Sequence, residues 1–282
     1  MEAHHRLGHH AAILDLARLL GIPYEMRVHD YALFCPRINL TGGDGRYCGE
    51  PDVAGCDACV ADSGGALEEA ITPAGLRARS AAELDAAARV VVPSGDAAAR
   101  LARHFPGVRP IIAPHEDDAD LPPLRPLPAP PRRVGVLGAI GVHKGFDVLL
   151  ACARDAARRD LPLDFTVLGH THDDDRALAT GRITVTGPYR EADLPALIAE
   201  TGVHLAFLPS VWPETWCYTL GEAFRAGLLP VMFDIGAPAE RIRRTGRGVL
   251  LPLGLSAASI NNALLALRTP ASDEYAGITV RR

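Results

Sequence analysis

The chain has 282 residues, 48% of them hydrophobic and 22% charged, which is the balance of a soluble globular protein long enough for two domains. A net charge of −5 leaves no basic excess to neutralise phosphates along a nucleic acid, so nucleic acid is excluded as a partner. No apolar run approaches the roughly 20 residues of a membrane helix, and the N-terminus "MEAHHRLGHH" has no signal core, which makes a cytoplasmic location the default.

In chain order, "AAILDLARLLG" has helical periodicity, and "PYEMRVHD" and "RVVVPS" read as short buried strands. "GDAAARLARHF" returns to helix and "RPIIAPH" to strand. The stretch "DADLPPLRPLPAPPRR", residues 118–133, reads as an extended linker, because its prolines fit neither helix nor central strand. Beyond it, "RRVGVLGAI", "LDFTVLGH", "RITVTG", "VHLAFLPS", "LLPVMFDI" and "RGVLLPL" read as strands. Helical segments alternate with them: "GFDVLLACARDAARRD", "READLPALIAE", "CYTLGEAFRAG" and "PAERIRRTG". Such alternation predicts α/β architecture with parallel sheets covered on both faces. The domains expected are 1–117, the linker 118–133, and 134–282.

Chemistry gathers where such a sheet ends its strands. In "GVLGAIGVHKGFD", Gly138 and Gly141 are expected to follow a strand and Gly145 to open a helix, so that backbone can approach an anion. Lys144, the single lysine of the chain, would stand beside that anion; an ordinary tight turn is the competing reading. In "SVWPETWCYTLGEAFRAG", a helix starting near Thr215 or Trp216 would turn its unpaired N–H groups toward the same place, with Glu214 in the preceding loop and Glu222 two turns in. Alternatively, Glu214 caps the helix and Glu222 pairs with Arg225 or Arg243.

Six cysteines in a chain of this size do not form a secreted disulfide framework. Four of them, Cys35, Cys48, Cys56 and Cys59, are separated by gaps of twelve, seven and two residues within the loop 35–59. The closing C-x-x-C favours a structural zinc site of four thiolates; a redox or disulfide pair and buried free thiols are the other readings. Cys152 and Cys217 read as packing residues. His4, His5, His9 and His10 form an N-terminal cluster that could chelate metal, line a strand-to-helix turn or be incidental. Asp173, Asp174 and Asp175 read as a helix opening, with metal binding there, or at His170 and His172, the weaker alternative.

"LPSVWPETWCYTLGEAFRAGLLPV" resembles the Glu-x7-Glu signature of retaining glycosyltransferases of family 4, and "LGAIGVHKGFDVLL" resembles their phosphate loop with its lysine. "VHDYALFCPR" and "RVVVPSGDAAARLARHFPG" extend the resemblance into the first half. It implies a GT-B fold, two Rossmann-like domains facing across a cleft, and transfer from a nucleotide-diphosphate sugar with retention and without a catalytic metal. It also implies an assembly role in surface polysaccharide or glycoconjugate, with a glycan or lipid-linked acceptor and room for peripheral membrane contact.

Carried over, Glu214 would meet the donor sugar's hydroxyls, Glu222 the ribose, and Lys144 with the N–H groups near Thr215 and Trp216 the diphosphate. His29 would face the sugar from the first domain. Ala139 stands where many relatives have an arginine, with His143 the nearest substitute. The first domain looks short, as if its N-terminal part were lacking, which motivates the alternative of a non-catalytic nucleotide-sugar-binding remnant. The glycine spacing disfavours a nicotinamide-dependent oxidoreductase. A composition rich in Ala, Arg, Gly and Pro suggests a bacterial gene of high GC content.

Overall fold

A computed structural model describes residues 1–4, 13–268 and 278–279. Its elements in chain order begin with β1 (Glu2–Ala3), α1 (Ile13–Leu19), β2 (Glu25–Arg27), α2 (Val53–Ser63), α3 (Pro73–Ala86), β3 (Arg89–Val92), α4 (Gly95–His104) and β4 (Ile111–Ile112). They continue with β5 (Arg132–Ile140), α5 (Phe146–Arg158), β6 (Leu163–Thr171), α6 (Asp174–Leu178), β7 (Ile183–Val185), α7 (Leu194–Thr201), β8 (Leu205–Leu208), α8 (Tyr218–Arg225) and β9 (Leu229–Phe233). The last are α9 (Gly236–Thr245), β10 (Val249–Leu251), α10 (Ala257–Ala266) and β11 (Ile278–Thr279).

The chain forms two units, one of Met1–His115 with Trp212–Trp216, the other of Glu116–Val211 with Cys217–Arg282. The proline segment is therefore not an independent linker. Asp118 pairs with Arg241 at 2.7 Å and Arg244 at 2.7 Å, and Arg125 donates its backbone N–H to Gly227 at 2.7 Å. These bonds pin the stretch along the second unit.

The second unit has a seven-stranded, wholly parallel sheet in the order β11-β10-β9-β8-β5-β6-β7. Its core follows directly from strand alternation. Val134 and Val136 on β5, Phe165 and Val167 on β6, and Leu205 and Phe207 on β8 face one cluster under α5 and α10. Leu137, Leu168, Ala206 and Leu208 face the other, under α7, α8 and α9. Burial on both faces is why these strands read as continuous apolar runs. The chain builds outward from β5 in one direction through β6 and β7, then reverses through β8, β9 and β10, so the switch point falls between β5 and β8. Ligands bind outside the strand C-termini at such a point.

The first unit has a four-stranded parallel sheet, β1-β2-β3-β4, with ladders of only two or three residue pairs. Met26, Val28, Val90, Val92, Ala97 and Leu101 pack with Tyr31, Phe34 and Phe105 in its core. Helix α4 starts because the Ser94 hydroxyl accepts the Ala97 N–H at 3.1 Å while Asp96 occupies the first turn. Mixed α/β architecture with parallel sheets agrees with the fold class expected from sequence. Three helices escape that reading: α2, capped by Asp52 accepting from Gly55 at 2.9 Å, α3, opened by Thr72 and Pro73, and α10, capped by Ser256. Of the N-terminal histidines, His5, His9 and His10 lie outside the described residues.

Candidate functional site

At the switch point of the second unit, β5 runs on to Ile140, so Gly138 lies inside the strand and not after it. Gly138 pairs in register with Gly169 of β6, and the ladder continues through Ala139 and Ile140. A Cβ on Gly169 would stand 2.2 Å from the Gly138 carbonyl, so two backbones meet there without side chains. Gly141 to Gly145 form a tight turn in which Lys144 and Gly145 donate N–H to Gly141 and Val142 at 3.0 Å. Gly145, at φ +87°, opens α5 with no side-chain cap, and a Cβ there would stand 2.0 Å from the Pro209 carbonyl. The loop after β8 is bonded to this turn: Val211 donates its N–H to the His143 carbonyl at 3.1 Å, and the Ser210 hydroxyl reaches it at 3.4 Å. Gly141 carries no such constraint, since a Cβ would be in ordinary contact with His143 at 3.5 Å. Lys144 is half-buried in this turn.

Helix α8 begins at Tyr218, not at Thr215 or Trp216, with Cys217 extended at φ −153° before it. The reason lies in the preceding backbone, whose carbonyls are taken by side chains: Tyr31 donates to Pro213 at 2.6 Å and Ser94 to Thr215 at 3.0 Å. Bonded this way, Trp212–Trp216 stays non-helical, with the Glu214 N–H turned back onto the Trp212 carbonyl at 2.9 Å, and belongs to the first unit. Thr215 and Trp216 therefore supply no helix N-terminus, and Glu222 sits one turn into α8 where two were expected.

Glu222 is half-buried and accepts the Tyr189 hydroxyl at 2.7 Å. Burial pushes its carboxyl above the usual range; Tyr189 and Arg225 pull it down, and Glu191 and Glu116 push it up. The ion-pair alternative is not what the structure shows, since Arg225 pairs with Glu116 at 2.6 Å and Glu191 at 2.8 Å, and Arg243 pairs with Asp234. Glu116 packs tightly on α8, where a Cβ at Gly221 would meet its carboxylate at 2.5 Å. Sequence reading missed Tyr189, which lies 33 residues before its partner in a connection whose only local signal is "GPY".

In the first unit, His29 follows β2, and its carbonyl accepts the Thr215 hydroxyl. Its ring stacks on His4 at 4.8 Å and on His115 at 5.6 Å, and His115 meets Trp216 edge-on at 5.7 Å. His4 Nδ1 is 2.5 Å from His29 Nε2. Three strand ends thus deliver three imidazoles to one row; His115, in "APH", was not anticipated. Glu214, two residues before Trp216 in the chain, is buried at 4% exposure.

The zinc expectation is not supported. Cys35, Cys48, Cys56 and Cys59 do line one small cavity, with Phe34 and Arg77. Yet among the described residues no group of three or more His, Cys, Asp or Glu is arranged to hold a metal ion. The thiols have protein partners instead: Cys48 Sγ accepts the Glu50 N–H at 3.4 Å, and Cys56 Sγ accepts from Arg77 at 3.1 Å and donates to Pro51 at 3.7 Å. Burial pushes Cys35 up to about 11 and also raises Cys48. The loop is held by a carboxylate. Glu50, its side chain fully enclosed, pairs with Arg100, with Arg103 at 3.2 Å and with His104 at 3.2 Å. Asp173 caps α6 by accepting from Arg176 at 3.0 Å, as a helix opening should.

Residues 131–269 match the family model described as glycosyl transferases group 1. The second unit carries a glycosyltransferase-like domain. Solved structures similar to the chain agree in fold. S. aureus TarM, in complex with fondaparinux, α-GlcNAc-glycerol and UDP, is 14% identical with a TM-score of 0.57, covering 90% of this chain and 46% of its own. The pneumococcal O-GlcNAc transferase GtfA, with UDP and GlcNAc, is 15% identical at 0.56, covering 92% and 47%. Anabaena HepE with UDP-glucose is 15% identical at 0.59, covering 89% and 64%. The chain thus spans about half the length of TarM and GtfA. No curated protein matches the sequence. Among the described residues no helix is long and apolar enough to cross a membrane.

Proposed function

We propose that the chain is a retaining glycosyltransferase that takes a sugar from a nucleotide-diphosphate donor in the cytoplasm and passes it to a glycan or lipid-linked acceptor in polysaccharide or glycoconjugate assembly. The observation that carries this reading is the switch point of a glycosyltransferase-like domain. There a glycine turn bearing the chain's one lysine is bonded to the loop leading toward α8 and Glu222.

Lys144 and the turn's backbone hold the diphosphate and stabilise the charge that develops on it as the sugar leaves. Glu222 accepts the ribose hydroxyls. Glu214 and His29 are assigned the donor sugar, with Thr215 and Trp216 beside Glu214 as further donor contacts. With no dedicated nucleophile proposed, the rate comes from positioning and from diphosphate stabilisation, the departing phosphate taking the acceptor's proton.

The test is transfer and hydrolysis across a panel of UDP-, ADP- and GDP-sugars, with Lys144→Ala and Glu222→Gln as variants. Lys144→Ala should lower turnover about 10²- to 10³-fold. A wild-type chain that binds nucleotide sugars but turns over none would favour the second reading, a donor-binding remnant. That reading draws support from Ala139, which puts no cation at the end of the strand leading into the turn.

A further inference from the structure

We propose that Tyr189 is a positioning residue for nucleotide recognition, its phenol orienting the Glu222 carboxylate so that the remaining oxygen faces the ribose hydroxyls. The inference rests on the reading of Glu222 as the ribose acceptor and assigns to the connection after β7 a role in the same site.

The geometry is specific. Tyr189 stands in the turn that leaves β7, and Glu222 stands one turn into α8; their oxygens are 2.7 Å apart. That length is ordinary for a hydroxyl donating to a carboxylate, and the bond takes Oε2 alone. Both ends are fixed. The Tyr189 ring packs on the core cluster shared by α7 and α8. Its loop is tied to β6, with the Thr186 hydroxyl accepting the Gly169 N–H at 3.1 Å and the Thr186 N–H reaching the Val167 carbonyl at 3.0 Å. A carboxylate on a helix surface samples several rotamers, and a donor anchored in the core selects one of them before the ligand arrives.

The charges around the pair give the phenol a second task. Glu191 and Glu116 both disfavour the ionised form of Glu222, as does burial. Arg225, the cation facing them, has its guanidinium divided between Glu116 and Glu191. The donated hydrogen bond from Tyr189 therefore favours the ionised form of Glu222 against burial and the two neighbouring carboxylates. Burial first, and then the bond to Glu222, raise the phenol above its ordinary 10, so it remains a donor throughout neutral pH. A protonated Glu222 would offer the ribose one acceptor fewer.

The experiment is calorimetric titration with UDP, ADP and GDP between about pH 5 and pH 8, on wild type, Tyr189→Phe and Glu222→Gln, with a carbon-13 carboxyl titration of Glu222 in the nucleotide-free protein. Tyr189→Phe should weaken binding of the accepted nucleotide about three- to tenfold at neutral pH. It should also move both the acid limb of affinity and the carboxyl titration to higher pH. A lower melting temperature with neither shift overturns the proposal and leaves a packing role. Glu222→Gln weakened with Tyr189→Phe unchanged sinks Tyr189 alone. Glu222→Gln binding like wild type, or wild type binding none of the three nucleotides, removes the ribose reading and this inference together.

Discussion

The two units reach stability by different physics. In the second, β5 and β6 share a nine-residue ladder, with Val134, Phe165 and Phe207 sealed on one face and Leu137, Leu168 and Leu208 on the other. In the first, no ladder exceeds three residue pairs, and a long loop is fastened by a buried ionic cluster around Glu50 and Arg100. A sheet buried on two faces gains from area removed from water, whatever the pH. A loop held by a buried carboxylate depends on its partners and its ionisation, since one uncompensated charge is costly. The unit resembling the glycosyltransferase domain is thus the one whose central sheet is apolar on both faces, its buried Arg241–Asp118 pair lying along the proline segment.

The sharpest way to break that contrast is a pair of deletions of similar size. Phe207→Ala removes a ring with no exposed surface beside Phe233 and should cost roughly 3–5 kcal/mol. Glu50→Ala removes the carboxylate shared by Arg100, Arg103 and His104, leaves Arg100 on Asp96 at 2.7 Å, and should cost about 3 kcal/mol at neutral pH. The pH dependence separates them. Burial pushes the Glu50 carboxyl up, but His104, Tyr47, Arg100 and Arg103 outweigh it and bring it from 4.5 down to about 2. A lowered folded value means that the stabilisation is full above 4.5 and is lost as pH falls toward 2. Urea unfolding at pH 7 and pH 3 should therefore show the Glu50→Ala deficit shrinking while the Phe207→Ala deficit holds. Equal pH responses would dissolve the distinction.

The same contrast explains what the sequence disclosed. "RRVGVLGAI" was read as a strand residue for residue with β5, because a strand buried on both faces leaves an uninterrupted apolar run. Helix α3 was invisible for the converse reason: its buried positions are Pro73, Leu76, Ser80, Glu83 and Leu84, a stripe that is half polar. The start of α8 was misplaced because the carbonyls that would begin a helix at Thr215 are bonded by Tyr31 and Ser94, more than a hundred residues away in the chain. Candidate residues announced themselves one at a time, as Lys144, Glu214 and Glu222. Tyr189, which bonds Glu222, and His115, which stacks on His29, did not, since contacts across elements leave no periodicity.

A smaller effect is expected at the turn after β5. Gly145→Ala forces a side chain into φ +87° and into the Pro209 carbonyl, and should cost about 1–3 kcal/mol in strain. Because the loop after β8 hangs on this turn, nucleotide affinity should fall with it. Gly141→Ala, which meets only ordinary contact, is the control and should leave the fold and its melting temperature unchanged. A Gly145→Ala protein with wild-type affinity for UDP, ADP and GDP would show that the turn does not build the site.

The smallest predicted effect concerns how firmly the first unit grips Trp212–Trp216. Tyr31 is buried and gives its hydroxyl to the Pro213 carbonyl at 2.6 Å, one residue before Glu214. Tyr31→Phe keeps the ring and removes one neutral hydrogen bond, so global unfolding should change by only about 1 kcal/mol. The Pro213 carbonyl loses its donor, however, and Glu214 rides on the backbone that this bond fixes. If Glu214 serves the donor sugar, Tyr31→Phe should lower turnover more than it lowers stability, with nucleotide affinity unchanged because Glu222 and Lys144, proposed for the ribose and diphosphate, lie elsewhere in the chain. A change in melting temperature with turnover intact would mean that the grip on Pro213 serves the fold alone.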